Sequence, residues 1–153
     1  MKNIEIYEEL SALTMAKLYD QFPRSVDIDP MALAILLPDD LWSESTEMVD
    51  GNPNHHQYIR GKSPAGLAVP TIKWLASSGL ITYARLHNGI FEETAFTPKG
   101  FELASKNSSS MKRVAKYLSD LGKGVGKELL MDGIKSAIKE LIQSIFMSAS
   151  SPG

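Results

Sequence analysis

Apolar residues recur at three- and four-residue steps along the first twenty residues of the chain. Ile6, Leu10 and Leu13 follow this spacing, and three glutamates occupy the first turns, where a helix dipole favours anions. The pattern predicts an amphipathic helix over residues 4–22, ending before Pro23.

The next segment changes its pattern several times. Apolar and polar residues alternate around Val26 and Ile28, which predicts a short strand, and Pro30 then opens a nearly all-apolar run that predicts a buried helix through residue 37. Residues 48–54 carry the Gly, Asn and Pro residues of a loop, and a further helix is predicted around Tyr58.

A helix, a hairpin and a second helix are predicted between residues 63 and 105. The first helix begins near Val69, or is longer and kinked at Pro70, and stops at Gly79. Asn88-Gly89 predicts a two-residue hairpin turn. That turn fixes a register that pairs apolar with apolar and charge with countercharge: Leu86 with Phe91, Arg85 with Glu92 and Ile81 with Phe96. Thr97-Pro98-Lys99-Gly100 then caps a helix that is predicted from Phe101 to Ser105.

A second amphipathic helix is predicted after the serine-rich residues 106–110, which read as a polar linker. Its seam recurs at three- and four-residue steps and consists of Val114, Leu118, Leu121, Val125, Ile134, Ile138, Leu141 and Ile145. Four glycines between residues 122 and 133 favour a break into two helices. Three interpretations stay open for this face: it folds back onto its own domain, it drives self-association, or it binds a membrane surface or a partner.

Charge is distributed unevenly over a chain whose net charge is −2. Residues 1–56 carry a net −8, residues 57–110 a net +3 and residues 111–153 a net +3. The chain has no cysteine, which excludes thiolate metal sites and disulfides and fits a reducing compartment. Since the start lacks the apolar run of a secretory signal and no apolar run is long enough for a transmembrane helix, we expect a cytoplasmic protein.

The order of these elements resembles the winged helix-turn-helix superfamily. The residues that carry the resemblance are 71–81, which look like a recognition helix leading into the first wing strand, and 95–101, which look like the end of the wing. In that superfamily the helix enters the major groove. The resemblance implies a nucleic-acid site in which Arg60, Lys62, Lys73 and Lys99 contact phosphates and Thr71, Trp74, Ser77 and Ser78 face the DNA.

The composition of this candidate site departs from that of a strong DNA binder. Lys73 is the only cation on the predicted recognition helix, whereas strong binding usually involves about six to ten phosphate contacts. Glu92 and Glu93 on the wing repel phosphate, and Glu92 also competes for Arg85. A winged domain that binds protein instead of DNA is therefore the alternative.

No motif in the chain predicts catalysis, a metal site or a cofactor. His55 and His56 are adjacent and point in different directions, and the aspartates at 27, 29, 39 and 40 lack a phosphate-binding loop. The glycine-rich segment 122–128 lacks the spacing and the hydroxyl of a phosphate loop. We expect a non-enzymatic protein.

Together these patterns predict a mainly α chain with a small β-hairpin wing. We expect a winged helix-turn-helix domain over residues 1–107, a polar linker over 108–111, an amphipathic oligomerisation helix over 112–147 and a disordered tail over 148–153. The expected function is DNA binding or regulation by a homo-oligomer held together by the C-terminal seam. The alternative is a protein-interaction or assembly module, and membrane binding by residues 112–147 is the weakest of the three.

Overall fold

The computed structural model describes residues 2–38, 41–42, 46–49, 52–58, 64–124 and 126–150. The chain is mainly helical with a small antiparallel sheet and a separate two-stranded hairpin. Its elements in chain order are α1 (Lys2–Gln21), β1 (Val26–Ile28), α2 (Pro30–Ala34), β2 (Thr46–Val49), β3 (Asn52–Tyr58), α3 (Pro64–Ser77), β4 (Ile81–Thr82), β5 (Arg85–His87), β6 (Ile90–Phe96), α4 (Pro98–Lys106), α5 (Ser108–Gly122) and α6 (Lys127–Ser150).

Helix α1 is the centre of the core. Residues 10–16 are buried without exception, and α1 packs against α2, α3, α5 and α6. Two buried hydroxyls lie among these apolar residues, and that of Thr14 donates to the Leu10 carbonyl at 2.7 Å. A helix covered on several sides needs apolar residues beyond a single stripe, and α1 supplies them.

The main sheet has the strand order β1–β6–β4, and β5 also pairs with β6. The hairpin register is confirmed: Leu86 pairs with Phe91, Arg85 with Glu92 and Ile81 with Phe96. Asn88 and Gly89 have φ of 51° and 79°, and positive φ at both turn residues is what the tight hairpin requires.

Residues 46–58 differ from the prediction. The segment predicted as a loop over 48–54 falls largely within the β2–β3 hairpin, and Tyr58 lies in β3 instead of a helix. Of the residues predicted to form the loop, Asn52, Pro53 and Asn54 lie in β3 itself, and the register with β2 is irregular between Met48 and Val49. Local turn chemistry identified the reversal of the chain but did not show the strands on either side of it.

Helix α4 is confirmed with Thr97 as its cap, but it begins at Pro98 instead of Phe101, at a tight junction with the end of α3. The Thr97 side chain accepts a hydrogen bond from the Gly100 N–H at 3.0 Å, and the Thr97 N–H donates to the Leu80 carbonyl at 3.1 Å. A Cβ atom on Gly100 would lie 1.8 Å from that same carbonyl oxygen. The junction therefore requires glycine at position 100.

The C-terminal third of the chain corrects the predicted linker and tail. Residues 108–111 are the first turn of α5 and leave only Asn107 between α4 and α5. One of the serines of the predicted linker packs inside the chain instead: Ser110 is buried and donates to a Glu140 carboxylate oxygen at 2.9 Å. The predicted break near the glycines is confirmed between Gly122 and Lys127, and α6 continues through residues 148–150, which were expected to be disordered.

The predicted oligomerisation seam lies inside the chain. Of its residues, Val114, Leu141 and Ile145 are at most 2% exposed, Ile134 and Ile138 are buried, Leu118 and Leu121 are partly buried against the same core, and Val125 lies outside the described residues. The assignment of these side chains to an interface between copies is therefore wrong, because α5 and α6 fold back and cover α1 with them.

Polar contacts hold α5 and α6 in this position. Arg113 donates to the Gly133 carbonyl at 2.6 Å, and Ser144 donates to the Asn107 side-chain oxygen at 3.1 Å. The Tyr117 hydroxyl donates to the Leu36 carbonyl at 2.9 Å and so joins α5 to the end of the α2 region. Within the described residues, no helix is both long and apolar enough to cross a membrane.

Candidate functional site

Helix α3 carries most of the predicted site, and its local sequence explains its shape. The helix starts at Pro64, includes Pro70 and ends before Gly79, whose φ is +80°. The longer of the two predicted forms of this helix is therefore the observed one. Because Pro70 has no N–H, one carbonyl in the preceding turn loses its normal partner. The Thr71 hydroxyl donates to the Leu67 carbonyl at 2.7 Å in this same region.

The structure exposes some of the predicted DNA contacts and buries one. Lys73, Ser77 and Lys99 are exposed, Trp74 is 54% exposed and Ser78 is partly exposed. Thr71 is only 4% exposed and cannot reach a base edge, so its assignment to the DNA face is wrong. Its hydroxyl is used within α3 instead. Arg60 and Lys62 lie outside the described residues.

An apolar groove runs between the start of α1 and the exposed side of α3. It has a volume of about 360 Å³ and is lined by Asn3, Ile4, Tyr7, Leu67, Pro70, Thr71 and Trp74. Ile4 is 47% exposed and Pro70 is also exposed, so the walls reach solvent. Among the residues that the structure describes, none of those lining the groove is charged. An exposed apolar groove of this kind is a candidate site for an apolar ligand or for a segment of another protein.

Tyr7 of α1 and Trp74 of α3 line the groove together. Burial raises the pKa of the Tyr7 hydroxyl above its usual value of 10.0, and polar contacts with the side chains of Ser11 and Trp74 act in the opposite direction. The Trp74 side chain lines the groove beside Tyr7 while about half of its surface stays in solvent. An aromatic side chain held in place at a surface loses little entropy when a partner covers it.

The electrostatics of the α3 face do not match a DNA backbone. Lys73 is the only cation of α3. On the β5–β6 hairpin, Arg85 forms an ion pair with Glu92, which raises the pKa of the guanidinium, and Glu93 is exposed nearby on the same strand as Glu92. The hairpin therefore offers a duplex little free positive charge.

A second groove separates α1 from α6 and contains the charge asymmetry seen in the sequence. Glu5, Glu8 and Glu9 line one side, and Lys135 and Lys139 line the other. Burial, and then repulsion from Glu5, raises the pKa of Glu8 above its usual 4.5, while attraction to Lys139 lowers it. Two lysines of α6 thus lie opposite three glutamates of α1, although α6 as a whole carries three basic and three acidic residues.

A third hollow of about 710 Å³ lies between the end of α1, β1, α2 and α5. Its apolar walls include Leu33, Leu36 and Leu118, and its rim carries Lys17, Asp20 and Asp27. Asp27 already accepts a hydrogen bond from the Glu93 N–H at 3.0 Å, beside the irregular β1–β6 register. In the part of the chain that the structure describes, no three His, Asp or Glu side chains are grouped to hold a metal ion.

Sequence reasoning identified part of the α3 wall of the groove and missed the α1 wall. Thr71 and Trp74 were selected, whereas Leu67 and Pro70 of α3 and Ile4 and Tyr7 of α1 were not. The available signal was that Ile4 and Tyr7 lie off the line of Ile6, Leu10 and Leu13 on the same helix. Apolar residues on two sides of one helix indicate two contact surfaces.

Comparison of the chain with protein-family models, with curated proteins and with solved structures finds no match.

Proposed function

We propose that the chain is a non-enzymatic protein-interaction module, and that a segment of a partner protein binds in the α1–α3 groove. The observation that carries the proposal is the exposed side of α3. Pro70 and Trp74 on this side join Ile4 of α1 in one uncharged surface, where a DNA-reading helix needs cations and hydrogen-bonding side chains.

The arrangement of the elements supports a winged-helix type of module. Three helices, the strand order β1–β6–β4 and the β5–β6 hairpin after α3 agree with the order on which the resemblance rests. One feature departs from it. Residues 35–63, which contain β2 and β3, separate α2 from α3, whereas a helix-turn-helix uses a turn of about 3–4 residues. A long insertion between these two helices is compatible with a domain that binds protein instead of DNA.

Peptide selection tests the proposal. Random peptides displayed on phage are selected on the full chain, and the affinities of enriched peptides are then measured by calorimetry for the wild type and for Trp74→Ala. We expect Trp74→Ala to weaken binding at least about tenfold, because a centrally placed tryptophan typically dominates such an interface. Met31→Ala is the matched control, since Met31 is 47% exposed on α2 and does not line the groove. Equal affinities for wild type and Trp74→Ala would contradict the proposal.

Duplex DNA is the second candidate ligand, and the exposure of Lys73, Ser77 and Lys99 favours it. Binding of random duplex DNA is measured by fluorescence anisotropy at low and moderate salt. A DNA-binding function requires an affinity that falls steeply with salt and is lost in Lys73→Glu. Lys112→Glu on α5 is the control, because it removes an exposed cation from a different face. If the affinity for DNA changes neither with salt concentration nor with the Lys73→Glu substitution, this candidate is excluded.

A further inference from the structure

The free charge beside the α1–α3 groove is positive. Lys73 precedes Trp74 on the exposed side of α3, and it forms no ion pair within the described part of the chain. Its ammonium group is therefore open to a ligand that occupies the groove.

A second cation lies toward the end of α3. The Thr97 hydroxyl donates to the Gly79 carbonyl, which places the first turn of α4 at the C-terminal end of α3. Lys99 is exposed in that turn and, among the described residues, forms no ion pair. The other charged pair of α4 is internal, since Lys106 contacts Glu102 at 3.2 Å.

The acidic side chains of α1 are engaged on a different side of the helix. Glu5, Glu8 and Glu9 line the groove that faces Lys135 and Lys139 of α6, and none of them lines the α1–α3 groove, although Glu8 is close enough to Tyr7 for its charge to raise the pKa of that hydroxyl. A ligand in the α1–α3 groove therefore meets apolar walls first and then uncompensated positive charge along α3.

We infer that the partner segment is an acidic amphipathic peptide whose apolar side chains insert between Ile4, Pro70 and Trp74 and whose carboxylates lie beside Lys73 and Lys99. This inference rests on the proposed protein-binding function and specifies its ligand. Helices with an apolar face commonly bind in grooves between two helices. The charges select which amphipathic helix binds, because like charges at the rim of an interface disfavour the wrong partner.

Synthetic peptides test the charge preference directly. Three peptides of about 15 residues carry leucines on one helical face and, on the other face, glutamate, lysine or glutamine. Each is titrated into the full chain by calorimetry, and into Trp42→Phe with fluorescence detection, where Trp74 is the only tryptophan left. We expect the glutamate peptide to bind at least about fivefold more tightly than the lysine peptide at low salt, and Trp74 emission to shift to shorter wavelength.

The variants separate this inference from the proposed function. Lys73→Glu is expected to abolish or invert the preference for glutamate over lysine and to leave the glutamine peptide unaffected, whereas Lys112→Glu should change nothing. If the lysine peptide binds as tightly as the glutamate peptide, the inference fails and the protein-binding function stands. If none of the three synthetic peptides binds and the phage-selected peptides bind Trp74→Ala as tightly as the wild type, both the inference and the proposed function fail.

Two other occupants of the groove would also overturn the inference. A concentration-dependent dimer that light scattering detects in the wild type and not in Trp74→Ala would assign the groove to a second copy. A shift of Trp74 emission on adding random duplex DNA, lost in Lys73→Glu and at moderate salt, would assign it to nucleic acid.

Discussion

Helices α3 and α6 each bury an apolar face in the core, but α3 also has apolar residues on its other side that the chain leaves exposed. On α6, Leu141 is fully buried and Ile145 is 2% exposed, because α1 and α5 pack against that face. On α3, the side opposite the core leaves Trp74 54% exposed beside Pro70. Hydrophobic spacing shows that a helix has an apolar face, but it does not show whether another part of the same chain covers that face.

The largest expected effect tests whether the α6 face belongs to the core. Leu141→Ala should lower the free energy of unfolding by about 2–5 kcal/mol, because it leaves a cavity among buried side chains. Urea unfolding followed by circular dichroism measures the change. Trp74→Ala, the matched change on α3, should cost less than about 1 kcal/mol. A Leu141→Ala chain of unchanged stability but smaller oligomeric mass would restore the oligomer-interface interpretation.

Two glycine substitutions compare a closely packed position beside the end of α3 with an open position on α6. Gly100→Ala should destabilise the fold by about 1–3 kcal/mol, because its Cβ would lie 1.8 Å from the Leu80 carbonyl oxygen. Gly133→Ala on α6 meets no atom within 4 Å and should raise stability by up to about 1 kcal/mol through higher helix propensity. Thermal unfolding of both variants measures the difference, and equal shifts would mean that the close approach at Gly100 relaxes freely.

Charge reversal on α6 tests whether attraction between its lysines and the glutamates of α1 stabilises the fold. Replacing Lys135 and Lys139 by glutamate places like charges opposite Glu5, Glu8 and Glu9, and we expect a loss of about 1 kcal/mol at low salt. The loss should shrink at about 1 M salt, where screening is strong. Lys112 and Lys123, both exposed, give a matched double reversal that should have little effect. A loss that is independent of salt would indicate a steric cause.

The smallest expected effect concerns the titration of Glu8. The pKa of Glu8 is raised on folding, so the ionised carboxylate lowers the free energy of unfolding at any pH above the folded-state pKa. This loss of stability disappears as the pH falls through the folded-state pKa toward 4.5. Glu8→Gln should therefore raise stability at pH 7, by less than about 0.5 kcal/mol because the group is mostly exposed to solvent. Denaturant midpoints between pH 4 and pH 7 measure the change. A lower midpoint at pH 7 would show that attraction to Lys139 outweighs burial.

The parts of the fold that depend on local chemistry were predictable from the sequence. The Asn88-Gly89 turn determined the hairpin register, and Thr97 with Gly100 determined where α4 begins, because each of these depends on residues only a few positions apart. The glycines after residue 121 likewise marked the break between α5 and α6.

The contacts between distant segments were not predictable in the same way. The seam of Val114 and Leu141 has the same spacing whether it meets α1 or a second copy, so the pattern did not exclude the wrong partner. The candidate site had the same difficulty. Trp74 was visible in the sequence, but its pairing with Ile4 and Tyr7 joins segments about seventy residues apart and appears only when α1 and α3 pack together.

The enclosure of α1 has a consequence during protein synthesis. Its covering elements α5 and α6 lie after residue 107, so Ile6, Leu10 and Leu13 leave the ribosome long before the segments that shield them. At roughly 5–20 residues per second, this interval is on the order of ten seconds. The apolar side chains of α1 therefore stay accessible to chaperones until residue 145 has emerged. A translation product that ends within α5 leaves the same side chains exposed and becomes a substrate for proteolytic quality control.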